Sequence, residues 1–66
     1  MDYIALGQRV RRIRKQKGLT QEVLAEQVGI SASFIGHIER GSRIASLETL
    51  LQLCRALAVS PQRPAG

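Results

Sequence analysis

A chain of 66 residues builds one domain at most, with a modest core and no room for a deep catalytic cleft. Its apolar fraction of 44% is too high for a disordered chain, and with Tyr3 and Phe34 the only aromatics the core must be aliphatic. Ten Lys and Arg against five acidic residues leave a net charge of +5, a sign that favours polyanionic partners such as nucleic acid or an anionic membrane surface.

The lone cysteine, Cys54, has no partner for an internal disulfide, which excludes a stapled secreted mini-protein and fits a reducing cytosol. It reads as a core residue rather than a redox-sensing thiol. No apolar run is long enough to span a membrane, and the N-terminus has no apolar signal core. The sequence-level expectation is therefore a cytoplasmic protein.

The periodicity is helical throughout. The first helix is expected from Asp2 to Lys17, with Asp2 as N-cap and Gly18 as its stop. Leu6, Val10 and Ile13 make one buried stripe, surrounded by Arg9, Arg11, Arg12, Arg14, Lys15 and Lys17. Thr20 caps a second helix over 21–28, with Leu24, Ala25 and Val28 inward and Gly29 as terminator. Ser31 caps a third over 32–40, with Ile35 and Ile38 inward, and Gly41 ends it. Ser46 caps a fourth over 47–57, whose inner stripe reads as Leu47, Leu50, Leu51, Cys54 and Leu57 and which should pack across the others as the floor of the core. A tail, "SPQRPAG", with two prolines and a glycine is expected to fray, which gives a domain over 1–59 and a flexible tail over 60–66.

The middle of the chain explains the economy of this plan. Two short helices joined through one glycine must cross steeply. A small residue, Ala25, belongs at their closest approach, Gly29 at the tight turn, and Ile35 and Ile38 at the contact that pins one helix to the other. One face of the third helix and its first turn then point outward, and a helix of that diameter fits the major groove of B-DNA.

The stretches "RVRRIRKQKGLTQEVLAEQVGISASFIGHIERG" and "SLETLLQLCRALAVSP" resemble the Cro/repressor-type, Xre-like helix-turn-helix proteins of phages and bacteria. The segments "GLTQ", "LAE", "GIS", "IERG" and "SLETL" stand in family order and spacing, and the likeness covers about Leu6 to Pro61. It implies an all-α, compact four-helix, lambda-repressor-like helix-turn-helix domain, or a truncated form of a five-helix one. The family commonly continues into a fifth helix where this sequence reads "QRPAG".

The resemblance also implies roles. Gln21 matches a phosphate-holding position, assisted by Thr20 at the helix N-terminus, and Ser31 a capping and phosphate-contacting one. Ala32, Ser33 and His37 match base-reading positions, and Arg40 and Arg43 match backbone or minor-groove positions. Arg14 and Glu39 match a structural ion pair between the first and third helices. Ala32 offers a base only an apolar contact, Ser33 reaches a short way, and Gly36 leaves a gap that permits close approach of the DNA. Direct readout should then be modest and phosphates should supply much of the affinity.

The expected function is that of a sequence-specific, double-stranded DNA-binding transcriptional regulator, a repressor that inserts the third helix into the major groove. The expected setting is the nucleoid of a bacterial or phage-like system. Half-sites one turn apart call for a homodimer, at least on DNA, with Phe34, Ile44 and Val59 as candidate contacts. The alternative is a protein-interaction module, such as an antitoxin half, and a further rival is a basic binder of RNA or anionic lipid. Nothing in the sequence calls for a membrane, a small-molecule ligand, a cofactor or a metal. His37 is the only histidine and has no Cys/His/carboxylate cluster around it. Without a nucleophile–base pair, a P-loop or paired carboxylates, an enzyme is not expected.

Overall fold

The computed structural model describes residues 2–58, which form four helices: α1 (Tyr3–Gln16), α2 (Gln21–Val28), α3 (Ala32–Arg40) and α4 (Leu47–Ala56). Val59 and the tail expected from residue 60 lie outside the described residues. Each helix begins at a short polar residue in extended conformation whose side-chain oxygen accepts backbone N–H groups. Asp2 Oδ1 accepts from Ile4 and Ala5 at 3.1 and 3.0 Å, Thr20 from Val23 at 3.0 Å, Ser31 from Phe34 at 3.1 Å and Ser46 from Thr49 at 3.1 Å. Gly29 and Gly41 terminate α2 and α3 at φ 84° and 74°, in the left-handed region that a Cβ penalises.

α3 is the central element. α1 and α2 both pack against it, and α4 packs against α2. The core is aliphatic, with Leu24, Ile35 and Leu53 sealed from solvent and Val10, Ala25, Val28, Ile38, Ala45 and Leu57 around them. Phe34 is only partly buried at its margin.

Three features of α4 differ from the sequence reading. The inner stripe of α4 is Leu50, Leu53 and Leu57, whereas Leu47 and Leu51 are 73% and 47% exposed. With leucine at 47, 50, 51, 53 and 57, two helical stripes overlap, and periodicity cannot choose between them. α4 is also not a floor beneath all the others. An apolar groove of about 230 Å³ runs between α1 and α4, lined by Leu6, Val10, Ile13, Leu50, Leu53 and Leu57. Cys54 is half-buried on that groove rather than in the core.

A close helix–helix approach involves α1. Gly7 is buried against the α3 backbone, and a Cβ at that position would overlap the carbonyl oxygen of Ile38 and stand 2.7 Å from that of Glu39. The sequence reading assigned the small residue at a helix crossing to Ala25, which is buried between α2 and its neighbours, and passed over Gly7.

Candidate nucleic-acid interface

Behind α3 lies a polar cluster. Arg14 Nε donates to Glu39 Oε2 at 2.6 Å and Nη2 to Oε1 at 3.1 Å, while Nη1 donates to the Leu19 carbonyl at 2.8 Å. Both side chains are almost fully buried. The bond to Glu39 raises the Arg14 pKa above its ordinary value, against the opposing effect of burial, so the guanidinium stays charged. Three chain segments thus meet at one ion pair: α1, the α1–α2 connection and α3. Gln21 joins it, donating from Nε2 to Glu39 Oε1 at 3.2 Å.

In front of this cluster, Gln21, Glu22, Ala32, Ser33, Gly36, His37 and Arg40 line an open depression of about 350 Å³. It lies where the first turn of α2 meets the outward face of α3. Ser33 is exposed, Ala32 is half-buried where the margin of the core meets the depression, and His37 is half-buried. Thr20 and Ser31 stand at the helix starts on either side, each hydroxyl engaged in its cap. Arg43 lies exposed in the loop after α3, beyond the residues that line the depression. Ala25, Ile35 and Ile38 are buried beneath α3, and Gly29 makes the left-handed turn between α2 and α3.

Gly36 does not leave a gap for an approaching ligand. A Cβ there would meet Arg40 Nη1 at 3.1 Å and Gln21 Nε2 at 3.7 Å, so the Arg40 guanidinium occupies the space above the glycine. One lining residue, Glu22, and one neighbour of the depression, Ser42, were not singled out by sequence reasoning. Glu22 reads as ordinary helix surface because its position in the depression depends on the α2–α3 crossing. Ser42 lies just past α3 and touches His37, with Ser42 Oγ 3.0 Å from His37 Nδ1; an exposed serine in a loop carries no periodic signal.

The electrostatics are one-sided. Arg14–Glu39 is the only ion pair among the described residues, so Arg9, Arg11, Arg12, Lys15, Lys17, Arg40, Arg43 and Arg55 carry positive charge without a counter-ion among those residues. Among the same residues, no group of three or more His, Cys, Asp or Glu is placed to hold a metal ion, and no helix is long and apolar enough to cross a membrane.

Comparison with known proteins agrees with this geometry. The Helix-turn-helix family matches residues 10–63. The chain is 44% identical over 54 residues to the uncharacterized HTH-type transcriptional regulator YazB of Bacillus subtilis, covering 82% of this chain and 78% of YazB. It is 41% identical over 56 residues to the immunity repressor protein of Bacillus phage phi105, covering 85% of this chain and 39% of the repressor. The fold is similar to the crystal structure of the restriction-modification controller protein C.AhdI from Aeromonas hydrophila, with a TM-score of 0.88, 44% identity and 92% of each chain covered. The chain belongs to the helix-turn-helix family of Xre, Cro/repressor type, and is a DNA-binding transcriptional regulator.

Proposed function

We propose that the protein represses transcription by occupying a promoter at the bacterial nucleoid, with α3 in the major groove of a specific operator. The observation that carries this reading is the shared depression of Gln21, Ala32, Ser33, His37 and Arg40, which joins the start of α2 to the outward face of α3. Ala32, Ser33 and His37 read base edges, with the Ala32 methyl group limited to apolar contact such as a thymine methyl. Thr20, Gln21 and Ser31 at the helix starts, with Arg40 and Arg43, hold phosphates and fix the register of α3. The likeness to a phage immunity repressor supports the sign of the regulation.

A second copy of the chain completes the reading. Ile44, Leu47 and Leu51 are 63%, 73% and 47% exposed and form an apolar strip from the α3–α4 loop along α4. Glu48 and Arg55, seven residues apart and so on one side of α4, flank it. A two-fold axis near Leu51 sets antiparallel α4 helices together, with Glu48 of each copy opposite Arg55 of the other. Such a contact is self-complementary, as a symmetric dimer requires. The strip is small, so pairing is weak in solution and is completed on DNA.

The test is selection of bound duplexes from a random pool at physiological salt. The expected product is an inverted repeat with half-site centres about 34 Å apart along the duplex. Measurable binding with no enriched sequence would sink the assignment as an operator-specific repressor.

A further inference from the structure

We infer that Ser42, outside the helix-turn-helix, is a positioning residue that fixes the ring of His37 and thereby the kind of base His37 accepts. The inference rests on the proposed role of α3 in base reading. Two contacts carry it and a third competes. Ser42 Oγ stands 3.0 Å from His37 Nδ1 and Arg40 Nη2 stands 3.4 Å from the same nitrogen, while the Ser42 hydroxyl is also placed to donate to the His37 carbonyl oxygen at 3.2 Å.

The proton inventory decides between these arrangements. A guanidinium only donates, so Nδ1 meets Arg40 favourably only as an unprotonated acceptor. The His37 carbonyl already receives the backbone N–H of Gly41 and, at 3.0 Å, that of Ser42. With that oxygen supplied by two backbone N–H groups, and with two lone pairs otherwise facing each other across 3.0 Å, the single hydroxyl proton of Ser42 goes to Nδ1, whose one lone pair it shares with the more distant Arg40 donor. The neutral ring then carries its proton on Nε2, at its other end.

The consequence is a specificity rule. His37 lines the depression beside Ala32 and Ser33, and in this state it offers a donor. The major-groove edge of guanine presents two acceptors, N7 and O6; adenine presents N7 and thymine O4. Cytosine presents only its N4 donor, which leaves Nε2–H unmatched. His37 therefore selects guanine best and rejects cytosine at the base it meets. The left-handed turn at Gly41, φ 74°, folds the chain back so that Ser42 reaches the side chain five residues earlier.

His37 is the only histidine, so its ring nitrogens can be read without ambiguity by long-range ¹H–¹⁵N correlation in alkaline buffer, where imidazole is neutral. The expected result is the Nε2–H tautomer in the parent protein, a mixture in Ser42→Ala, and recovery in Ser42→Thr, which keeps the hydroxyl. Ser42 is exposed, and an unchanged helical melt in each variant verifies the fold. Duplex selection on the same proteins should give guanine over cytosine at one position per half-site. Ser42→Ala should lower that discrimination about tenfold, the worth of one hydrogen bond, and Ser42→Thr should restore it. An Nδ1–H tautomer in the parent protein, or an identical base profile in Ser42→Ala, overturns the inference while leaving the repressor reading intact. Absence of any enriched sequence with the parent protein removes the reading on which it rests.

Discussion

Gln21 and Arg14 share one carboxylate: the Gln21 amide donates to Oε1 of Glu39 at 3.2 Å, and Arg14 donates to both oxygens of the same group. The side chain proposed to hold a phosphate is thereby braced from behind, with one of its two amide protons committed to Glu39 and the other available. Gln21→Ala should weaken binding to every duplex by about 1 kcal/mol, roughly fivefold, without altering base preference. Because Gln21 is uncharged, the slope of log affinity against log salt should stay the same. Arg43→Ala should lower that slope by about 0.9. Titrations at four salt concentrations separate the two effects, and a changed base profile in Gln21→Ala would contradict the assignment.

The buried pair sets a second expectation. Arg14→Met or Glu39→Leu alone leaves its partner charged and unpaired, and each should cost about 3–5 kcal/mol. The double variant should lose much less than the sum, since both charges leave together. Urea unfolding of the four proteins gives the coupling directly. Additive losses would show that the two side chains stabilise the fold independently.

At Gly7 the neighbours are backbone atoms, which cannot rotate away. Gly7→Ala should force α1 from α3 and cost about 3 kcal/mol, despite the better helix propensity of alanine. For a domain of this size that is a large share of the total stability, so the variant should melt well below the parent protein. A melting temperature equal to or above that of the parent would refute the packing.

Gly36 gives the opposite pattern, although it too lies inside a helix. The group above it is the flexible end of Arg40, which can move by a few tenths of an ångström. Gly36→Ala should stabilise the fold by up to about 1 kcal/mol. It should also displace the Arg40 guanidinium and weaken DNA binding several-fold. Parallel thermal melts and binding titrations test the separation; a loss of stability with unchanged affinity would argue against it.

Much of this architecture was legible because it is written locally. A cap such as Thr20 or Ser31 needs only its own hydroxyl and a backbone amide three residues on. A terminator such as Gly29 needs only its own φ. The position of Gly7 is not local: within one helix it reads as a propensity cost, and its use appears only when α3 lies across it. Leu53 was missed for a related reason, since the leucine-rich α4 supports two stripes and only packing against α2 selects one. Arg14 and Glu39, 25 residues apart, have no periodic relation, and their pairing was anticipated from family resemblance alone. Resemblance said nothing of Ser42, whose reach to His37 follows from the turn geometry after α3.

The contact of α1 with α3 through Gly7 has a practical corollary for engineering. The rear of α3 is registered by main-chain atoms and one ion pair, while Ser33 and His37 project from its other side. The chain can thus serve as a chassis onto which other side chains are grafted at the proposed reading positions 32, 33 and 37, with residue 42 chosen to match. New operators could then be addressed by exchanging four side chains while the scaffold beneath them stays unaltered.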